Sequence, residues 1–253
     1  MAVTETEALV IRTYNLAEAD KIVVCLTRSD GLVRAVAKGS RKIKNRFGAA
    51  LEPFTLVNIT YYQKEHQELA SMRQAEILKS NFNLLNDHEV LTALAYMGDL
   101  VVEFSPPHQK NDKLFRMLSA CLDAIAEHPH ELPLILRYFE VWILRLEGFL
   151  PDLRRCADCQ RVLSEETGVT LSREFGFVCR SCSQGKAEVL SRRAYARLCA
   201  TQSLSPTMFV QDSLGLAQSI QVELAELLHS MVGRILERKP RVQLSVPARS
   251  NLR

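Results

Sequence analysis

Two cysteine pairs, Cys156-Ala-Asp-Cys159 and Cys179-Arg-Ser-Cys182, constrain this 253-residue chain more tightly than any other feature of it. Nineteen residues separate the pairs, a spacing suited to a four-cysteine zinc site. Two thiolates spaced this way turn onto one ion, and a second such knuckle completes a tetrahedron with zinc–sulfur distances of about 2.3 Å. The intervening residues read as a short hairpin, Val169 to Leu171 and Phe175 to Val178, with Gly168 and Gly176 at tight backbone positions. Catalytic zinc needs an open coordination position, usually with histidine or carboxylate among its ligands. No histidine lies between Pro151 and Cys182, so a closed shell is expected: one structural zinc per chain, held by Cys156, Cys159, Cys179 and Cys182. A thioredoxin-like redox pair would need a βαβ setting that this region lacks. The other three cysteines, Cys25, Cys121 and Cys199, lie in apolar surroundings and read as buried small hydrophobes.

The first eighty residues read as five short strands separated by turn-like breaks: Ala8 to Thr13, Lys21 to Thr27, Leu32 to Lys38, Thr55 to Tyr62 and Leu69 to Leu78. Five strands suggest a small barrel. In the third, Val33, Ala35 and Ala37 share one side and Arg34, Val36 and Lys38 the other, because side chains alternate across a strand. One face is therefore core and the other cationic. After Ser80 the spacing becomes helical. Val90, Leu94, Met97 and Val101 form one stripe, and Leu136, Phe139, Ile143 and Leu146 another, in a segment apolar nearly all round. Ser105-Pro106-Pro107 stops the first helix, and Pro129 and Pro133 frame the start of the second. A last long helix spans Leu216 to Leu236, with Leu216, Ile220, Leu224, Leu227, Leu228, Met231 and Ile235 as its apolar stripe. The acid-free end, residues 238–253, reads as a basic tail. The composition, 47 % apolar and 24 % charged, excludes disordered, collagenous and fibrous chains.

The net charge of +3 hides its distribution. Residues 1–80 carry 12 basic and 9 acidic side chains, 81–148 carry 5 and 10, 149–190 carry 6 of each, and 191–253 carry 9 and 4. Two basic ends thus enclose an acidic middle. Within the first, RAVAKGSRKIKNR holds Arg34, Lys38, Arg41, Lys42, Lys44 and Arg46 with no acid. Such cations neutralise phosphates and release condensed counterions, and Gly39 and Ser40 allow the backbone to approach closely. Phe47, Phe54, Tyr61 and Tyr62 lie nearby in sequence, and aromatic faces beside cations hold single strands by stacking bases. Tyr61 and Tyr62, as strand neighbours, must face opposite sides, which leaves open which of them is core. A solvated cationic loop is the other reading of the segment; its position beside a five-strand pattern favours nucleic acid.

No phosphate-binding glycine loop, dinucleotide fingerprint, HExxH or GxSxG motif occurs. His128 and His130, beside Glu131, read as exposed capping residues of an interhelical turn rather than as acid–base groups. The start, MAVTETEALV, lacks the cationic and apolar regions of a secretory signal. No stretch approaches eighteen uninterrupted apolar residues, so a cytoplasmic chain with no membrane partner is expected.

Taken together, EALVIRTY at Glu7 to Tyr14, SDGLVRAVAKGSRK at Ser29 to Lys42, LEPF at Leu51 to Phe54, and GFLPDL at Gly148 to Leu153 ahead of the four cysteines resemble the bacterial RecO family of DNA repair proteins. The resemblance spans nearly the whole chain and implies an α+β multidomain architecture. An N-terminal five-stranded OB-fold β-barrel (1–80) would bind DNA. It would be followed by an α-helical domain (81–253) with an inserted four-cysteine zinc finger (153–186). It also implies a recombination mediator rather than an enzyme, one that binds single- and double-stranded DNA and anneals complementary strands. Its implied partners are RecR and single-stranded-DNA-binding protein, and it would help load RecA on DNA, acting in the cytoplasm in association with the nucleoid. Arg34 to Arg46 matches the family's basic stretch. The competing class is an RNA-binding or translation-associated protein, since OB barrels and zinc ribbons occur there too.

Overall fold

The computed structural model describes residues 3–64, 67–163, 169–172, 176–185 and 189–237. The chain divides into two compact units, Met1–Leu122 and Asp123–Arg253. In the first, strands β1 (Val3–Leu16), β2 (Asp20–Thr27), β3 (Gly31–Ala37), β4 (Leu56–Tyr62) and β5 (Ala70–Lys79) form a closed barrel in the order β1-β2-β3-β5-β4, with β1 also pairing with β4. Every pairing is antiparallel except β3 with β5. This is the OB-fold, as expected. Closure removes the exposed sheet edges that would otherwise pair with other chains.

The alternation that marked the strands in the sequence marks the core. Along β4, Val57, Ile59 and Tyr61 are buried, and their neighbours are half-exposed. Small residues such as Ala8, Ala35 and Ala37 sit among Val10, Val23 and Met72 inside the barrel, where five strands leave little room. β1 begins five residues earlier than its apolar run suggests. The polar Thr4 and Thr6 extend it because they pair with Tyr61 and Ile59 of β4, which supply the burial. Bulges at Val10/Arg12 and at Thr60/Tyr61 add the local twist that a small closed barrel requires.

Helix α1 (His88–Phe104) belongs to this unit. Its N-cap Asp87 accepts hydrogen bonds from the backbone N–H groups of Glu89 (2.8 Å) and Val90 (3.2 Å), satisfying two of the donors a helix start leaves free. Its Gly98 lies so close to the barrel that a Cβ there would be 3.3 Å from Ile11 and 3.4 Å from the Phe54 ring. One residue on, the buried Asp99 forms an ion pair with Arg12 of β1. The helix ends at Ser105, and the two prolines run back along the barrel: Pro107 bridges to Leu32, and the N–H of His108 donates to the Leu32 carbonyl (3.1 Å). Helix α2 (Asp112–Glu127), not among the segments expected from helical spacing, follows. Its first residue pairs with Arg28 (3.0 Å).

In the second unit, α3 (Leu132–Leu146) is buried on nearly every side, as a helix apolar all round must be. Helices α5 (Pro206–Ser213) and α6 (Gln218–Ile235) pack on it, and α4 (Arg192–Ala200) packs on α6. Tyr138 meets Phe209 with ring centroids 5.7 Å apart and donates to the Leu204 carbonyl (2.9 Å), while the Trp142 indole donates to that of Thr201 (2.8 Å). The α6 stripe buries Ile220, Leu224, Leu227, Leu228 and Met231; Leu216 and Ile235, at its ends, are half-exposed. Arg137 and Glu140 of α3 form a buried ion pair (2.9 Å), with His229 of α6 3.9 Å from the same carboxylate. Burial pulls the His229 pKa below its ordinary value despite Glu140, so the imidazole is neutral near pH 7.

Two expectations need correction. His128 and His130 do not cap: the turn at Pro129–Glu131 has no side-chain cap bond, and proline at its start removes a donor that a cap would have served. Cys199 is only partly buried, whereas Cys25 and Cys121 are core, and burial pushes the Cys25 thiol up to about 12. The basic tail, residues 238–253, lies outside the described residues. No helix among the described residues is long and apolar enough to cross a membrane.

The contact between barrel and α1–α2 linker depends on one glycine. Gly31 has φ +65°, and a Cβ there would lie 2.0 Å from the Gln109 carbonyl oxygen. Gly31→Ala is expected to cost about 2 kcal/mol or more from the left-handed backbone and the displaced linker together. The thermal midpoint of the purified protein should fall by roughly 4 °C or more; an unchanged midpoint would show that the linker does not hold to β3.

Candidate nucleic-acid interface and metal centre

The six cations singled out in the sequence are all exposed. Arg34 stands on the outer face of β3 beside the half-buried Val36, and Lys38, Arg41, Lys42, Lys44 and Arg46 lie in the segment that follows the strand. That segment is pinned at both ends. The Gly39 N–H donates to the Asp20 carboxylate (2.8 Å), and Arg41 donates to the carbonyls of Ala19 (3.0 Å, through its backbone) and Ala17 (2.8 Å, through its guanidinium). Farther on, the Asn45 side-chain oxygen accepts from the N–H groups of Phe47 (2.9 Å) and Gly48 (2.8 Å), and its amide donates to the Lys42 carbonyl (3.1 Å). Arg46 donates to the Met72 carbonyl (3.3 Å), so part of the Arg41 and Arg46 guanidinium capacity goes to holding the loop.

Three of the four aromatics near the basic segment are core. Phe47, Phe54 and Tyr61 are buried, and the Tyr61 hydroxyl donates to the Asp30 carboxylate (2.7 Å). Tyr62 is the one that faces out. The pairings place Tyr14 opposite Ile22, Ile22 opposite Val36, Val36 opposite Ser71 and Ser71 opposite Tyr62, and directly opposed residues share a face. The barrel therefore carries an outward row across all five strands, with an exposed tyrosine at one end and a half-exposed one at the other. Arg73 lies over the Tyr62 ring at 5.0 Å. Hydrogen bonding to Ser71 lowers the Tyr62 phenol pKa against a smaller upward pull from desolvation, and Lys64, Arg73 and Lys38 lower it further.

Tyr14, Lys64 and Arg73 thus join the cationic face in addition to the six expected cations. Alternation along β5 could have assigned Arg73 to the outer face, opposite in sense to the buried Met72. Nothing local could have placed Tyr14, whose neighbours across the sheet are set by strand register.

The second unit brings the four cysteines together. Their Sγ atoms all lie within 4.8 Å of one another, those of Cys159 and Cys179 at 3.9 Å. A tetrahedron with zinc–sulfur bonds of ordinary length has edges of about 3.8 Å. Each pair sits in a tight turn: Gln160 N–H donates to the Cys156 carbonyl (2.9 Å) and Cys182 N–H to that of Cys179 (3.0 Å), while Cys179 N–H points at the Cys156 sulfur (3.4 Å). Between them, β6 (Thr170–Leu171) and β7 (Phe177–Val178) form the expected hairpin. Gly176 lets it close, since a Cβ there would lie 2.3 Å from that of Ala157; Gly168 and Phe175 lie outside the described residues.

The thiols are unequal. Burial raises the Cys156 pKa, but N–H donors of Cys159, Cys179 and Asp158 outweigh it and bring the group to about 6. Cys182, hydrogen-bonded to Cys159 and Cys179, is pushed up to about 12. Four thiolates this close repel, and a cation is what allows all to be deprotonated together. The donor set therefore fits a metal ion. The knuckle is also anchored: Phe177 is fully buried against Tyr195 of α4 (6.3 Å between centroids), and the Tyr195 hydroxyl donates to the Leu153 carbonyl.

Comparison with known proteins agrees with this architecture. The family model described as recombination protein O N terminal matches residues 1–81, and that described as recombination protein O C terminal matches residues 85–243. The chain is 32 % identical over 217 residues to the DNA repair protein RecO of Anaeromyxobacter sp. (strain K), covering 86 % of this chain and 82 % of that one. It is 31 % identical over 220 residues to that of Geobacter metallireducens, covering 85 % and 87 %. With that of Koribacter versatilis it shares 37 % identity over 161 residues, 64 % of this chain and 65 % of the relative. With an OB barrel, a helical unit and a four-cysteine knuckle in their expected order, the chain belongs to the RecO family of DNA repair proteins.

Proposed function

We propose that this protein is a DNA-binding recombination mediator, with residues 1–80 as the DNA-binding part and 81–253 as a helical domain carrying the 153–186 zinc finger. It binds single- and double-stranded DNA, anneals complementary strands and, with RecR, helps load RecA on DNA covered by single-stranded-DNA-binding protein. Its place is the cytoplasm, on the nucleoid. The observation that carries this reading is the acid-free run of six exposed cations, Arg34, Lys38, Arg41, Lys42, Lys44 and Arg46, on the outside of an OB barrel in a RecO-family chain.

Annealing needs no catalytic group. Two complementary strands repel through their phosphates, and pairing is downhill once that repulsion is screened. The cations neutralise phosphates, while Tyr14 and Tyr62 offer ring faces on which unpaired bases stack. Phosphate contacts position the strands and leave base edges free to pair. The basic region 238–253 is a candidate for the second strand. Replacing Lys38, Arg41, Lys42 and Lys44 with alanine should weaken binding to DNA of any sequence. It should also flatten the dependence of log affinity on log salt by about 0.7 to 0.9 per lost phosphate contact. An unchanged slope would remove the loop from the interface, and a preference for structured RNA over single-stranded DNA would favour a role in translation instead.

The ion held by Cys156, Cys159, Cys179 and Cys182 is one structural zinc per chain. Four thiolates close its shell, and its binding energy contributes directly to folding of the knuckle. Elemental analysis of protein purified without chelator should find about one zinc per chain. Cys156→Ser should lose the zinc and lower both solubility and thermal midpoint. Zinc far below one per chain, together with a harmless Cys156→Ser, would contradict the site.

A further inference from the structure

The basic loop carries one side chain that phosphate binding does not explain. Ile43 lies between Lys42 and Lys44 with a relative exposure of 103 %. The next most exposed large apolar residue among those described, Val162, reaches 68 %. Position 43 sits on the stretch between the two anchors of the loop, Gly39 and Arg41 on one side and Asn45 on the other. Ile43 is therefore held out by a braced turn. A polar residue would serve a phosphate-binding loop as well without exposing an isoleucine to water, and the absence of any acid from Gly31 to Leu51 makes the surroundings complementary to a polyanion.

We propose that Ile43 is a wedge that enters the base stack where duplex DNA meets single strand, while Lys42 and Lys44 rest on the flanking phosphates. This rests on the DNA-binding role proposed above and adds to it a preferred substrate, the junction. Apolar side chains of this kind enter DNA by separating adjacent base steps. Opening a stacked step inside a continuous duplex costs at least as much as burying one isoleucine returns. At a junction the stack is already interrupted on one side, so burial of Ile43 there is a net gain. The Ile43 wedge thus favours junctions, whereas the lysines favour any phosphate backbone. Gapped DNA, and the advancing end of a duplex during annealing, both present that structure.

The test compares wild-type protein, Ile43→Ala, Ile43→Phe and the double variant Lys42→Ala/Lys44→Ala on three ligands: a hairpin with a single-stranded extension, a relaxed covalently closed circular duplex, which has neither ends nor loops, and oligo(dT). 2-Aminopurine at the last base pair of the extended hairpin reports unstacking. Ile43→Ala should bind the extended hairpin about 3- to 10-fold more weakly, as expected for losing part of one buried isoleucine. It should lose the 2-aminopurine brightening and keep wild-type affinity and salt slope on the other two ligands. Ile43→Phe should retain both junction affinity and brightening, and the double lysine variant should weaken on all three. Because Ile43 touches solvent on every side, its replacement should leave the thermal midpoint unchanged. Equal loss by Ile43→Ala on all three ligands, or brightening that survives it, would overturn the wedge while leaving DNA binding intact. Failure of wild-type protein to bind any of the three would instead overturn the DNA-binding role. Vesicles of phosphatidylglycerol serve as the control: Ile43-dependent vesicle binding with unaltered junction affinity would assign the side chain to a lipid surface and overturn the proposal.

Discussion

Closure of the barrel through the parallel pairing of β3 with β5 decides what every strand of the first unit presents to solvent. Once Ala35 and Val36 stand opposite Ala70 and Ser71, alternation sends Ala35 and Ala70 inward and leaves Val36 and Ser71 on the outside. The same register carries Tyr62, Ile22 and Tyr14 onto that outer row and turns Tyr61 into the core. A slip of one residue would exchange the two faces, burying Arg34 and exposing Val33 and Ala35. Core packing and the cationic surface are therefore one constraint. The ion pair of Arg12 with Asp99 adds α1 to it, tying β1 to a helix through a buried carboxylate.

The second unit relies on a different kind of closure. Two-residue strands such as β6 and β7 bury too little apolar surface to hold a hairpin alone. Four sulfurs drawn to within 4.8 Å supply the missing constraint. The knuckle then transmits its order to the helices through Phe177 and Tyr195, and α4 is fixed in turn to α6, where Glu223 accepts from the Ser191 N–H at 2.7 Å. A cation there would let all four sulfurs be thiolates together and give the unit its fixed point.

The sequence read most clearly where periodicity and burial coincide. All five strands, α1 and α3 stand where alternation or helical spacing placed them, with β1 extended at both ends, because their apolar faces are also their buried faces. The cysteine pairs were legible because ligand spacing is a local property. Helix α2 is not among the expected helices although Leu114, Leu118, Cys121 and Ile125 share one buried side, and α4 and α5 are short enough that a cap and a few apolar residues are all that mark them. The cationic loop was visible as composition, but its bracing by Asp20, Ala17, Ala19 and Asn45 was not, since those bonds join residues distant in sequence or depend on a turn. Phe47 looked like a partner for bases and is instead a plug in the barrel core. Phe47 lies outside the strands, so no alternation marks it as core, and only the register of the closed sheet separates Tyr61 from Tyr62 and brings Tyr14 into view.

The proposed screening of phosphate repulsion by cations outside the barrel is read in the rate of annealing. Complementary oligonucleotides coated with single-stranded-DNA-binding protein should pair faster with this protein than without it, with RecR present or absent. The acceleration should fade as salt rises and be largely lost when Lys38, Arg41, Lys42 and Lys44 are replaced by alanine. Equal annealing rates for the wild-type and substituted proteins across that salt range would contradict such screening.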